Sequence, residues 1–196
     1  YFSSNRTGKY EIWRMNIDGT NQAKISKNES GVPTFVTPDG KWLYFANTLT
    51  QIVWKVATDG TVEQPLFPEK IGYYHAFSPD GTQMAYLKKD KETNKYMLLV
   101  MLLENQQIIK TYQLPNNNFP YFLTYRADGK FLNYLTTGDN QEQSFWTQDL
   151  TKESPVELSN LGNESTMDCR LNPNNTKYGF IRGSWKHDAS LLKMVQ

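Results

Sequence analysis

The sequence predicts an all-β fold, a β-propeller of four-stranded antiparallel blades, and three observations carry that prediction. A hairpin turn built from Pro-Asp-Gly or a close substitute recurs along the chain. The apolar or aromatic residues that open these turns, Phe35, Phe77, Tyr125 and Leu171, stand 42, 48 and 46 residues apart, a period that suits a propeller blade and is long for a leucine-rich or helical repeat. Composition points the same way, with 38% hydrophobic and 14% aromatic residues and no helical period interrupting the pattern.

The clearest turn lies in Phe77-Ser78-Pro79-Asp80-Gly81-Thr82-Gln83-Met84-Ala85-Tyr86-Leu87. Proline presets φ at the first central position, aspartate caps the turn with its carboxylate, and glycine accepts a positive φ that a Cβ resists. Where the letters drift the backbone demand persists: Ala127-Asp128-Gly129 drops the proline, and Pro173-Asn174-Asn175 replaces glycine with the residue that next best tolerates a left-handed conformation.

Taken in order, each repeat divides into four strands, a to d. In the second repeat a ends at Phe35, b covers 42–46, c covers 52–56 and d runs from about 61 to 66, with Asp59-Gly60 turning c into d. Asp18-Gly19 does the same one repeat earlier, and Glu104-Asn105 stands there in the third. The blade parts fall at about 1–26, 32–67, 74–114, 122–158 and 167–196, about five blades with the first and last incomplete. Tyr1-Phe2-Ser3 matches Tyr44-Phe45-Ala46, so the first blade enters at strand b, and the last stops in strand c at 191–194. Sheet edges favour closure, so the expectation is one segment of a six- or seven-bladed propeller with N-terminal residues ahead of Tyr1.

Charge and cysteine usage exclude several classes. Twenty-one Lys and Arg against 20 Asp and Glu leave a net charge of +1, and the cations are scattered, so no nucleic-acid contact is expected. One cysteine, Cys169, rules out a disulfide framework within the chain. The longest apolar run, 96–103, is far short of the roughly 20 residues of a membrane helix, so no membrane segment is expected.

The turn segments resemble the TolB-type β-propeller repeat, whose pattern is Pro-x-Phe-Ser-Pro-Asp-Gly, an apolar strand, a strand with an early aromatic, and Asp-Gly. Pro33-Thr34-Phe35 and Phe77-Ser78-Pro79-Asp80-Gly81 are the nearest copies, and Phe2-Ser3-Ser4-Asn5-Arg6-Thr7-Gly8 with Glu11-Ile12-Trp13 is similar to the family's opening segments. Residues 180–184 with Asp188, Leu191 and Leu192 resemble the closing blade of bacterial proteins in which such a propeller follows a winged-helix regulatory or kinase domain. That resemblance implies a bacterial sensing module ending near Gln196; a periplasmic or extracytoplasmic location is expected ahead of a cytoplasmic one. His75, Leu123 and Cys169 replace the proline before the opening aromatic, so the family's channel features do not carry over.

In an up-and-down blade the a–b and c–d turns share one end, and the b–c and d–a connections share the other. The first end repeats Asp-Gly; the second differs in every repeat, and variable loops on a rigid scaffold are where binding is usually placed. The candidate binding residues are therefore Tyr73, Tyr74, His75, Phe119, Tyr121, Asp168, Trp185 and His187. The aromatic rings among them suit a peptide or sugar, although they serve equally to plug the gaps between blades. His75 and His187 are the only histidines and lack a spaced partner, so no metal and no cofactor are expected. Nucleophile-elbow and zinc-helix motifs are absent from the sequence, and no catalytic residue is assigned. The expectation is a non-enzymatic module for a protein or peptide partner, with a small-molecule ligand also compatible. The alternatives are the gating propeller of a prolyl oligopeptidase-type peptidase and a metal-dependent propeller lyase using His75 and His187.

Overall fold

The computed structural model describes residues 1–27, 31–71, 74–115, 118–172 and 177–183. They form antiparallel sheets only, in which every strand pairs with its neighbour in sequence. The first sheet holds β1 (Phe2–Ser4), β2 (Glu11–Arg14) and β3 (Ala23–Lys24); the second holds β4 (Gly31–Val36), β5 (Trp42–Asn47), β6 (Val53–Ala57) and β7 (Glu63–Pro65). The third comprises β8 (His75–Phe77), β9 (Gln83–Lys89), β10 (Tyr96–Leu102) and β11 (Ile108–Gln113). The fourth comprises β12 (Phe119–Tyr125), β13 (Phe131–Thr137), β14 (Gln143–Asp149) and β15 (Val156–Gly162), and β16 (Ser165–Leu171) pairs with β17 (Tyr178–Gly183) in the last. These are successive propeller blades, complete in the middle and partial at both ends.

Register fixes the equivalence between blades. Val36 pairs with Leu43, Phe77 with Met84 and Tyr125 with Leu132. Val36, not Phe35, therefore occupies the place of Phe77, one residue away from the alignment that the aromatics suggest. Phe35 stands two residues before Thr37, whereas Phe77 stands directly before Ser78, so the turns themselves align Val36 with Phe77; a separate bulge between Pro33 and Phe35 leaves Thr34 as an extra residue further up β4. The turns confirm the shift. The Thr37 hydroxyl accepts from Trp42 N at 3.1 Å and the Ser78 hydroxyl accepts from Gln83 N at 2.9 Å, the same contact one blade later.

Successive sheets pack face to face, and alternation along each strand decides which neighbour a residue meets. Leu43 and Phe45 point back to Ile12 and Ile25 of the first sheet, whereas Tyr44 points forward to Phe77 and Met84. Leu132 and Tyr134 point back to Leu98 and Val100; Leu135 points forward to Cys169. Trp54 and Trp146 both pack toward the preceding sheet. Trp13 stands at the matching position of the first sheet, where the Arg6 guanidinium lies 4.5 Å over its ring. Gly31 allows the closest approach, since a Cβ there would meet Ile12 Cδ1 at 2.8 Å and Phe45 Cδ2 at 2.9 Å.

Candidate functional site

The two ends of the sheets differ in chemistry. At the a–b and c–d end each aspartate folds back on its own turn. Asp18 accepts from Thr20 N at 3.0 Å and from its hydroxyl at 2.7 Å; Asp59 repeats this with Thr61 at 2.9 and 2.6 Å, and Asp149 with Thr151 at 2.9 and 2.8 Å. Asp80 gathers Thr82 N, the Thr82 hydroxyl and the Ser78 hydroxyl at 3.0, 2.8 and 2.6 Å. Hydrogen bonds to the charged form hold these carboxyls below their ordinary range, the side-chain hydroxyl contributing most at Asp18, Asp39, Asp59 and Asp80 and the Thr151 amide at Asp149. At each of these aspartates Oδ1 is engaged by the amide and hydroxyl of its own turn.

At the other end the b–c loops carry a cap of their own, Asn47 Oδ1 accepting from Leu49 N and Thr50 N, Asp90 Oδ1 from Glu92 N and Thr93 N, and Asn140 Oδ1 from Glu142 N, while the side chains around it differ from loop to loop. Tyr74 leads into β8, with its carbonyl accepting from Leu87 N at 3.2 Å, and its side chain is half-buried. Tyr121, on the inner strand of the next sheet, is also half-buried; burial pushes its hydroxyl pKa up, and Tyr74 is near enough to raise it further. The fold thus places these two sequence candidates within electrostatic range of each other. His75 is only 9% exposed and sets its ring edge-on to Phe77 at 5.7 Å, inside the stack of sheets. Phe119 begins β12 and Asp168 lies in β16 opposite Ile181, but their side chains lie outside the described set, as do residues Tyr73, Trp185 and His187 altogether.

Sequence reading missed two exposed apolar residues at this end. Tyr10, before β2, is 58% exposed and Leu49, in the turn after β5, is 73% exposed. An apolar residue at a hairpin tip that starts no strand was the available signal. It also missed Phe122, which takes a left-handed φ of 50° at a bulge between Tyr121 and Leu123. Phe122, His75, Phe77 and Tyr125 border a cleft of about 340 Å³ along the inner strands. Among the described residues no three His, Cys, Asp or Glu side chains converge as metal ligands, and no helix is long and apolar enough to cross a membrane.

No family model matches the chain, and no curated protein sequence matches it. Solved structures do. TolB from Acinetobacter baumannii superposes with a TM-score of 0.67 at 16% identity, over 87% of this chain and 42% of that one. Kuenenia stuttgartiensis hydrazine synthase gives 0.69 at 17% over 91% and 51%, and a chain of a nidogen/laminin complex gives 0.55 at 16% over 79% and 59%. The chain thus spans about four- to six-tenths of these structures, and the likeness establishes a TolB-like propeller fold. It also corrects the expectation of a non-enzymatic module. Pseudomonas aeruginosa periplasmic gluconolactonase (TM-score 0.55, 16% identity, 88% and 56% covered) and Pyrococcus horikoshii acylaminoacyl peptidase (0.55, 12%, 84% and 30%) share the fold. Proteins named as enzymes are built on it, so the architecture gives no ground for excluding activity.

Proposed function

We propose that residues 1–196 form one propeller segment that binds a protein or peptide through the end made by its b–c and d–a loops. Large apolar and aromatic side chains on loops that differ from blade to blade support this reading: Tyr10 and Leu49 are exposed there, and Tyr74 and Tyr121 are half-buried. Large rings and aliphatic tips supply the apolar contact area that dominates recognition. A photo-crosslinking residue placed at Leu49 is expected to trap a partner in cells, and one placed at Asp18 is not. Adducts from position 18 alone would reverse the assignment of the binding end.

A second reading has support from the likeness to acylaminoacyl peptidase. In it the segment belongs to a propeller that gates a peptidase domain elsewhere in the polypeptide. An α/β-hydrolase domain in the same reading frame favours gating; a winged-helix or kinase domain favours sensing.

A further inference from the structure

We infer that the junction of the second and third sheets holds a binding site for a small aromatic amine, a planar ring of indole size carrying a short cationic chain. Strand register shows where. Trp13 pairs with Phe2, Trp54 with Phe45 and Trp146 with Tyr134. In the third sheet the same pairing joins Tyr86 to Leu99. Phe45, Tyr86 and Tyr134 each stand two residues beyond the partner of the residue that opens the turn, namely Leu43, Met84 and Leu132. Leu99 therefore holds the tryptophan position of its sheet, and among the described residues the third sheet alone carries no indole there.

Packing marks the same place. Trp54 lies against Ile12 and Ile25 of the preceding sheet, and Trp146 against Leu98 and Val100 of its own predecessor. Leu99 lies in the corresponding cluster with Phe67, Ile71, Tyr86 and Met101. A leucine reaches less far than an indole, and those four residues line a cavity of about 170 Å³. An apolar space of about 150 Å³ is enough to hold a benzene ring. Here the rim is open, at Glu69, Gln106 and Ile108, all of them exposed. A ring can therefore enter and leave, and a larger bicycle can project past the rim.

The rim also supplies the polar part of the site. Burial pushes the Tyr86 hydroxyl pKa up, and the Glu69 carboxylate is near enough to raise it further. That carboxylate beside an aromatic wall favours a cation over an anion, and an ammonium donates to it in a charge-assisted hydrogen bond. Met101 adds a thioether, which makes favourable contacts with ring edges. Ring and ammonium are thus recognised by different parts of one cavity.

Calorimetric titration of the full-length protein with tryptamine tests the site, with indole-3-propionate as the probe of opposite charge. Tryptamine is expected to bind, and to raise the melting midpoint by about 4 °C at about ten times its dissociation constant. The acid should bind about tenfold more weakly. Leu99→Trp places the chain's own indole in the cavity and should weaken tryptamine binding roughly tenfold. Ile108→Trp, at an exposed rim position, should block entry to the same extent without changing the core. Absence of tryptamine binding, equal binding of the acid, or binding unaltered in both variants overturns the inference. A photo-crosslinker at Ile108 that traps another protein, undisplaced by tryptamine, also overturns it, by assigning the cavity to a partner's side chain.

Discussion

The Cδ of Pro38 lies 2.9 Å from where a Cβ on Gly81 would stand, although the two residues belong to turns of different sheets. Gly81 also has φ of +71°, so it answers a conformational and a packing demand at once. Gly40 has the same φ, +70°, but nothing within 4 Å of its Cβ position. Gly40→Ala should therefore cost about 1 kcal/mol, the left-handed strain alone, and Gly81→Ala measurably more. Urea unfolding of the pair checks this; equal losses would show that Pro38 yields freely.

Tyr134 is 0% exposed, and its hydroxyl has no hydrogen-bond partner among the described residues. Tyr134→Phe removes a buried, unsatisfied polar group from the layer between the third and fourth sheets, and is expected to stabilise the protein by about 1 kcal/mol. Tyr125→Phe is the contrast, because that hydroxyl reaches Gln83 Oε1 at 3.4 Å and should give little change. A destabilised Tyr134→Phe would mean that the hydroxyl has found a partner, such as a bound water.

The Trp146 indole donates to the Thr136 hydroxyl at 3.0 Å, and Thr136 is fully buried. Thr136→Val keeps the shape and deletes the acceptor. A loss of about 1 to 3 kcal/mol with altered tryptophan fluorescence is expected, and no loss would show that the bond contributes nothing net.

The capped carboxylates set the acid limb of stability. Asp18, Asp39, Asp59, Asp80 and Asp149 all have folded pKa values depressed below their unfolded ones. Their contribution is complete above the unfolded value of about 3.9 and is lost as pH falls through the folded values. Melting midpoints should therefore drop below about pH 4. Asp80→Asn retains a capping oxygen without the charge and should flatten that limb; an unaltered pH profile would remove Asp80 from the set.

Much of this fold was legible in the sequence because turn chemistry is local. Asp18-Gly19, Asp59-Gly60 and Asp80-Gly81 name their own geometry, and the sheets follow from their spacing. The slip from Val36 to Phe35 came from aligning aromatics instead of turns, since Pro38-Asp39-Gly40 set on Pro79-Asp80-Gly81 puts Val36 at the place of Phe77, whereas the bulge at Thr34 was not legible because it adds a residue without changing the apolar pattern. The candidate site was read only in part. Tyr74 and Tyr121 could be placed at one end by counting strands, but the burial of His75 depends on its pairing with Tyr86 and its packing on Phe77, which no neighbouring letter encodes.

The proline-to-glycine contacts bear on heredity. Pro38 faces Gly81 and, more loosely, Pro79 Cδ faces the Cβ position of Gly129 at 3.8 Å. The first contact limits the side chain that position 81 can carry, whereas the second is an ordinary van der Waals distance. Pro38 is thus inherited as a constraint on a residue 43 positions away, and a side chain at position 81 should become less costly once Pro38 has been replaced.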